Sequence, residues 1–284
     1  MLSHGCRLKL PSCCLPPSSF FTFGQRFWNE KSRNFLLAPR YPARLVSAVT
    51  HIDSLTSGQK EQVHLYVDVL LQWNQRMNLT AVTDASHVME RHVEDSLALL
   101  TPIHDSYTAH CNTSVEHICL VDVGTGAGLP GLILAIARPG WKVTLVESMN
   151  KRCAFLEHAV KFVGLSNVEV VRSRAEDLGQ NFSYRETYDV AVARAVAEMR
   201  TLVEYCLPLV RVGGLFVAAK GHDPQDEVRS AERSIQLMGA SLLRLCIVES
   251  ESPYGRRTAV ICVKNRRTPR RYPRSPGTPT KLPL

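Results

Sequence analysis

The chain has 284 residues, of which 45% are hydrophobic, so it is long enough for one large domain with an appendage. No uninterrupted apolar stretch reaches the roughly 18 residues that a membrane helix needs, which argues against a membrane protein. The nine cysteines form no Cys-x-x-Cys pair, so neither a zinc site nor a disulfide framework is indicated and free thiols are expected.

The net charge of +8 is carried by the two ends of the chain. Residues 1–50 contain seven Lys or Arg and one acid, and residues 256–284 contain nine Lys or Arg and no acid. Residues 51–255 between them have a net charge of −7. A polyanionic partner would therefore not be attracted uniformly to the middle of the chain, and a local basic patch would be needed to hold it.

The first 50 residues have the composition of an organellar transit peptide. They are rich in Ser and Arg, nearly free of acid, and interrupted by five prolines. Their apolar run is too short and too interrupted for the core of a secretory signal peptide. The alternative is a disordered extension that stays attached to the mature protein.

Residues 51–110 predict a small N-terminal helical appendage. Apolar residues recur near helical spacing over 57–79, and a second helical stretch follows over 85–100. Arg91 and His92 lie on this appendage, where they are candidates for contacts with RNA phosphate. The alternative for His92 is an ordinary hydrogen-bonded helix residue.

Residues 111–265 alternate between strand and helix patterns. Strands are expected near 118–123, 142–146, 168–172, 188–193, 214–219, 242–248 and 258–263. This alternation predicts an α/β fold with a doubly wound, mostly parallel seven-stranded sheet that is covered on both faces. The last two strands are candidates for an antiparallel hairpin.

The segment "VDVGTGAGLPG" (121–131) predicts a glycine-rich turn between a buried strand and a helix. Gly124, Gly126 and Gly128 permit positive φ and close approach of a ligand to the backbone. Such turns occur in dinucleotide-binding enzymes, in methyltransferases and in turns that bind nothing, so the turn alone does not identify its ligand.

Two acids favour S-adenosylmethionine as the ligand of this turn. Glu147 ends the second strand, where a carboxylate can accept hydrogen bonds from the ribose hydroxyls of a cofactor. The alternative is that Glu147 is an ordinary surface acid. NAD also contains such a ribose, but its pyrophosphate favours a helix N-terminus without a nearby acid. Asp122, at the start of the turn, suits the ammonium group of S-adenosylmethionine instead.

Further candidates follow from position, since ligands bind beyond the carboxyl ends of parallel strands. They are Leu129 in the turn, Ala175 and Glu176 after the third strand, Arg194 after the fourth and Lys220 after the fifth. An unpaired charge on a buried strand is costly, so the alternative for Arg194 is a structural pair with Glu198 or Glu176. The alternative for Lys220 is a solvated strand end.

Residues 266–284 are predicted to form a basic disordered tail, because their prolines and like charges oppose folding. Such a tail could add sequence-independent contacts to RNA phosphate, or it could only increase solubility. Arg257, shortly before the tail, is a further candidate for contact with RNA.

Seven motifs occur along the chain: "WNQRMNLTAVTD", "RHVEDSL", "LVDVGTGAGLPG", "LVESMNKRCAFL", "VRSRAEDL", "VARAVAEM" and "GLFVAAKGH". In this order they resemble the ribosomal RNA small subunit methyltransferase G family, also called the glucose-inhibited division protein B family. The resemblance covers roughly residues 57–265 and implies the class I S-adenosylmethionine methyltransferase fold.

The resemblance implies methyl transfer from S-adenosylmethionine to N7 of a guanine in small-subunit ribosomal RNA. Carried over by position, it implies cofactor contacts at Gly124, Leu129, Ala175, Glu176 and Arg194. Guanine N7 has an exposed lone pair and no proton at neutral pH, so no general base is expected. Catalysis by positioning is expected instead, with Arg194 and Lys220 as the positioning residues.

The residues by themselves leave other activities possible. The chain lacks the Asn/Asp-Pro-Pro-aromatic loop of exocyclic amine methyltransferases and the Pro-Cys pair of pyrimidine C5 methyltransferases. Another RNA methyltransferase, a non-catalytic RNA-binding module and a nicotinamide-dependent reductase remain as alternatives. No Tyr has a Lys four residues further on, which argues against a short-chain reductase.

RNA contacts are expected at Arg91, His92, Lys220 and Arg257. The expected partner is small-subunit ribosomal RNA or the assembling small subunit, with no membrane and no metal, and the chain is expected to be a monomer. Organellar ribosomes descend from bacteria, so a member of a bacterial-type family with a transit peptide is expected in the plastid stroma, with the mitochondrion second.

Overall fold

The computed structural model describes residues 50–111, 113–194, 196–248 and 257–284. The predicted transit peptide, residues 1–50, lies outside these residues apart from Thr50. Across the described ranges, no helix is both long and apolar enough to cross a bilayer.

A seven-stranded sheet forms the centre of the fold, with the strand order β3-β2-β1-β4-β5-β7-β6. Strands β1 to β5 are parallel, whereas β7 is antiparallel to both β5 and β6. The predicted sheet and its terminal antiparallel pair are therefore confirmed. The strands are β1 (Cys119–Val123), β2 (Lys142–Glu147), β3 (Val168–Arg172), β4 (Tyr188–Arg194), β5 (Val210–Lys220), β6 (Ala240–Val248) and β7 (Arg257–Lys264).

Helices cover both faces of the sheet, because the parallel strands are apolar on both sides. One face packs against α1, α4, α5 and α6 through residues such as Ile133, Leu145 and Phe155. The other packs against α7, α8 and α9. The helices are α1 (Ser57–Met77), α2 (Ala85–Val88), α3 (Glu94–Leu97), α4 (Leu100–His110), α5 (Gly131–Ala137), α6 (Asn150–Val163), α7 (Ala175–Gln180), α8 (Met199–Cys206), α9 (Gln225–Leu237) and α10 (Thr278–Lys281).

The N-terminal helices share a hydrophobic core with the sheet. Helix α1 begins with a capping box, in which Thr56 and Gln59 exchange side-chain and backbone hydrogen bonds. Its buried Tyr66 donates a hydrogen bond of 2.7 Å to the carbonyl oxygen of Ala127 in the glycine-rich turn. The appendage is thus tied directly to the loop that was predicted to bind a ligand.

The C-terminal segment, residues 266–284, is folded against the sheet, so the prediction of a disordered tail is wrong. We call this segment the C-terminal strap. The Arg274 side chain donates hydrogen bonds of 2.7 and 2.9 Å, and its backbone N–H one of 2.8 Å, to the fully buried carboxylate of Glu204 on α8. Tyr272 is also buried. The like charges of the strap were visible in the sequence, but the distant acid that neutralises Arg274 was not.

We expect Arg274→Ala to lower the free energy of unfolding by about 3 kcal/mol, because it leaves the buried carboxylate of Glu204 without its charged partner. Urea denaturation of the full chain measures this loss. Arg270→Ala is the matched control, since Arg270 belongs to the same strap and is exposed, and it should change stability by less than about 0.5 kcal/mol. Equal losses in the two variants would contradict the role of the pair.

Candidate active site

The turn after β1 has the backbone geometry that its glycines predict. Gly124, Gly126 and Gly128 have φ values of 70°, 60° and 90°. A Cβ added at Gly126 would have no neighbour nearer than the Gly124 carbonyl oxygen at 4.0 Å, so it would enter open space. A Cβ at Gly128 would instead meet the Leu132 side chain at 2.3 Å. Gly126 therefore leaves room for a ligand, whereas Gly128 lets the turn pack against α5.

A cavity of about 400 Å³ lies against this turn, within the size range of small-molecule sites. We call it the turn cavity. It includes five residues predicted to bind the cofactor: Gly124, Gly126, Leu129, Glu147 and Arg194. The remaining residues of its wall are Leu79, Thr80, His92, Thr125, Ala127, Ser148, Arg152 and Val196.

Asp122 is buried beneath the turn and is not part of the cavity wall. Its Oδ2 accepts hydrogen bonds from Thr125 Oγ1 at 2.6 Å and from the Gly131 backbone N–H at 2.8 Å. Its Oδ1 has no hydrogen-bond partner among the described residues. Burial raises the pKa of Asp122 to about 6. The carboxylate thus holds the turn in place, a role that its predicted contact with an ammonium group did not include.

Glu147 lies in the cavity wall at the end of β2, as predicted. Its Oε1 accepts hydrogen bonds from the backbone N–H groups of Ser148 and Met149 at 2.7 and 2.8 Å. Its Oε2 lies 3.5 Å from Arg152 Nη1. The backbone therefore fixes the orientation of the carboxylate and leaves Oε2 on the side of a cationic residue that also lines the cavity.

Ala175 and Glu176, at the start of α7, are not part of the cavity wall. Glu176 is buried, and its Oε1 accepts a hydrogen bond of 2.8 Å from the backbone N–H of Gly277 in the C-terminal strap. The structure thus assigns Glu176 a contact with the strap that the sequence did not predict.

A second cavity of about 270 Å³ contains all four residues that were predicted to contact RNA. We call it the basic cavity. Arg91 and His92 come from the appendage, Lys220 from the end of β5 and Arg257 from the start of β7. The other residues of its wall are Asp95, Leu99, Arg194, Ala219, Gly221, Val248 and Thr258. The two cavities share Arg194 and His92, so they meet at these two side chains.

Arg194 forms neither of the structural pairs that were considered for it. Glu198 pairs with Arg200 at 3.0 Å, and Glu176 contacts the strap. No hydrogen bond or ion pair within the described parts of the chain reaches the guanidinium of Arg194. Burial lowers its pKa, which the negative charge of Asp95 and Asp122 opposes. A guanidinium placed between two cavities remains charged and can interact with a ligand in either of them.

His92 lies in a π-helical turn, Met89–Val93, between α2 and α3. Its Nε2 is 2.8 Å from Thr80 Oγ1. Burial lowers the pKa of His92 to about 4, and the charges of Arg194 and Arg91 lower it further, so the imidazole is neutral at pH 7. His92 is thus a hydrogen-bonded wall residue without a positive charge, which agrees with the alternative considered for it, and its contact with RNA stays a prediction.

Lys220 and Arg257 both form ion pairs in the basic cavity. Lys220 Nζ lies 2.6 Å from Glu227 Oε1 and donates a hydrogen bond of 2.8 Å to the carbonyl oxygen of Ala197. It therefore connects the loop after β4 to α9, and a purely solvated strand end is ruled out. Arg257 Nε lies 3.0 Å from Asp95 Oδ2. Both cations are thus held in defined positions, with part of their charge neutralised.

Sequence reasoning missed several polar wall residues, of which three are Thr80, Asp95 and Arg152. Each lies inside a motif that had been recognised: "NLTAVTD", "RHVEDSL" and "LVESMNKRCAFL". A polar residue inside a recognised motif could have been named as a candidate site residue. Whether its side chain faces a cavity depends on how α1, α3 and α6 pack, which the sequence does not show.

A sequence profile described as rRNA small subunit methyltransferase G matches residues 59–254. A protein of this name from Alkaliphilus metalliredigens is 42% identical over 236 residues, which are 82% of this chain and 93% of the relative. Another, from Staphylococcus aureus (strain Newman), is 42% identical over 234 residues, which are 82% and 94% of the two chains. The chain belongs to the rRNA small subunit methyltransferase G family.

The part of the chain matched to the methyltransferase G family contains the entire wall of the turn cavity. It also contains the wall of the basic cavity apart from Arg257 and Thr258. The C-terminal strap lies beyond the matched range. No group of His, Cys, Asp and Glu in the described residues could hold a metal ion.

The lowered pKa of His92 predicts a pH dependence of folding. The unfolded state binds a proton at His92 below pH 6.5, and the folded state does so only below about pH 4, so His92 makes stability fall as pH decreases through this window. Asp122, with its raised pKa, has the opposite effect between pH 3.8 and about 6. Urea denaturation of the wild type and His92→Gln between pH 4 and 7 separates the two groups.

The free energy of unfolding of the wild type relative to His92→Gln should decrease as pH falls from 7 to 4. Only the wild type has a histidine at position 92 whose protonation favours the unfolded state. A difference that stays constant over this range would contradict a neutral, buried His92.

Proposed function

We propose that the protein transfers the methyl group of S-adenosylmethionine to N7 of a guanine in small-subunit ribosomal RNA. The observation that carries this proposal is the meeting of the turn cavity and the basic cavity at Arg194 and His92. A cofactor in the turn cavity and a nucleotide in the basic cavity would face each other across these two side chains.

The turn cavity fits S-adenosylmethionine. The open space above Gly126 admits a ligand against the backbone, and the oriented carboxylate of Glu147 is suited to a ribose. The buried, partnerless Oδ1 of Asp122 places negative charge beneath the turn, as a cationic ligand requires. If bound there, S-adenosylmethionine would supply a methyl group on a positively charged sulfur. The N7 lone pair would bond to the methyl carbon as the bond from carbon to sulfur breaks, so S-adenosylhomocysteine would leave and no proton would need to be transferred.

The residues around the junction are suited to positioning rather than to proton transfer. Asp122 does not reach either cavity wall, and His92 is fixed by Thr80. Arg194 can donate to the O6 atom beside N7 and so orient the base. Holding the reacting atoms in line, away from water, is the contribution that this reaction requires from the protein.

The basic cavity supports RNA as the substrate. Arg91, Arg194 and Lys220 come from residues 51–255, whose net charge is negative, and they line one small space together with Arg257. Enzymes that modify a base usually move it out of the stack into a pocket, and a space of roughly nine water volumes suits one purine. The proposed substrate is free small-subunit ribosomal RNA or the assembling small subunit, with the protein acting as a monomer.

We expect Glu147→Ala to weaken binding of S-adenosylhomocysteine about 30- to 1000-fold, because it removes a charged acceptor worth about 2–4 kcal/mol. Glu147→Gln keeps an oxygen that can accept from the Ser148 and Met149 N–H groups, so it should lose less affinity for S-adenosylhomocysteine than Glu147→Ala. Calorimetry measures both, with Glu157→Ala, exposed on α6, as the control that leaves affinity unchanged. An unchanged affinity in Glu147→Ala would refute the ribose assignment.

Methylation itself is tested with purified small-subunit ribosomal RNA and with assembled small subunits, followed by mass spectrometry of the nucleosides. We expect N7-methylguanosine that depends on S-adenosylmethionine and decreases with Glu147→Ala. Formation of a different methylated nucleoside, or of none on either substrate, would overturn the proposed reaction.

Plastid targeting by residues 1–50 is the second part of the proposal, supported by their Ser- and Arg-rich, acid-poor composition. A fluorescent fusion of the full chain in plant cells should enter plastids, with mitochondria as the second possibility. Deletion of residues 1–50 should leave the fusion in the cytosol, because the rest of the chain carries no such segment. Cytosolic fluorescence of the full-length fusion would refute organellar targeting.

A further inference from the structure

Among the described residues of its wall, the basic cavity has one acid beside its cations. Asp95, the second residue of α3, is 7% exposed and belongs to the cavity wall. Its Oδ2 lies 3.0 Å from Nε of Arg257. Phosphate would be repelled by a carboxylate, so phosphate binding alone gives no reason for an acid in this wall.

The edges of guanine differ in a way that a carboxylate can detect. N7 and O6 accept hydrogen bonds, whereas N1–H and the N2 amino group donate them. An ionised carboxylate only accepts, and its two oxygens offer about four acceptor positions. Adenine has no amino group at position 2 and has an acceptor at N1, so a carboxylate at that edge would disfavour it.

We propose that Asp95 recognises the N1–H and N2 amino groups of the target guanine and so selects guanine for methylation. This inference rests on the proposed function, since it places the guanine in the basic cavity with N7 toward the cofactor.

The arrangement of the walls supports this orientation. Arg194 and His92 belong to both cavities, so a base that presents N7 to the cofactor has its N7 edge beside them. Asp95 and Arg257 belong to the basic cavity alone. The donor edge of guanine lies across the ring system from N7, so a base with N7 beside Arg194 would turn that edge toward the residues that belong to the basic cavity alone, Asp95 among them. Arg257 holds the carboxylate in place through its ion pair.

Inosine tests this directly, because it differs from guanosine only by the missing N2 amino group. Two small-subunit ribosomal RNA stem-loops, with guanosine or inosine at the methylated position, are compared by binding in the presence of S-adenosylhomocysteine. The wild type should prefer guanosine roughly 5- to 150-fold, as expected for a paired hydrogen-bond contact. In Asp95→Asn this preference should fall to about twofold or less, with unchanged affinity for S-adenosylhomocysteine.

Arg257→Gln is the matched control, because it breaks the same ion pair but keeps the carboxylate. It should weaken binding of both RNAs and keep most of the preference for guanosine. An equal loss of preference in Arg257→Gln would overturn the inference, since Asp95 would then act only through Arg257. Asp95→Glu, which keeps the charge, should retain more of the preference than Asp95→Asn.

The wild type alone shows whether the protein distinguishes guanosine from inosine, even if Asp95→Asn does not fold. A wild-type protein that binds and methylates both RNAs equally would overturn recognition by Asp95 and leave the proposed function intact. A wild-type protein that prefers guanosine in binding but forms no N7-methylguanosine would overturn the proposed function instead.

Discussion

The buried carboxylate of Asp122 holds the turn after β1, and the cavity next to this turn depends on that contact. One oxygen of Asp122 accepts from both Thr125 and the first residue of α5, Gly131, so it connects the two ends of the turn. A second contact comes from α1, where the Tyr66 hydroxyl donates a hydrogen bond to the Ala127 carbonyl oxygen. Because these contacts fix the turn in its positive φ conformation, less conformational entropy is lost when a ligand binds.

The appendage completes the site as well as covering the sheet. The sheet provides Glu147, Arg194 and Lys220 at its carboxyl edge. The appendage provides Thr80, the π-helical turn with Arg91 and His92, and Asp95. π-helical turns often occur at functional sites, because the extra residue redirects side chains. The junction of the two cavities thus depends on packing between parts of the chain that are about 100 residues apart in sequence.

Several positive charges near the C-terminal end of the chain make contacts within the fold, either in the C-terminal strap or beside it. Arg274 neutralises the buried Glu204, and Arg185 donates to backbone carbonyl oxygens of the strap at Thr268 and Tyr272. Lys264 is buried beside Glu186 and Thr268, and burial lowers its pKa to about 8. These three charges therefore stabilise the fold locally, whereas Arg266, Arg267, Arg270 and Arg271 of the strap are exposed.

The sequence by itself determined the sheet, the glycine-rich turn and most of the site, because these follow from short-range patterns. Apolar runs and their spacing predict strands and helices, and Glu147 and Arg194 follow from their places at strand ends. The tertiary structure determined which charged groups are buried and which form ion pairs. Lys220 is paired because α9 brings Glu227 to it, and residues 266–284 are ordered in part because Arg274 meets the distant Glu204. The pKa of His92 is lowered first by its burial and then by the charge of Arg194. Burial and ion pairing are properties of the folded arrangement, and no local pattern in the sequence encodes them.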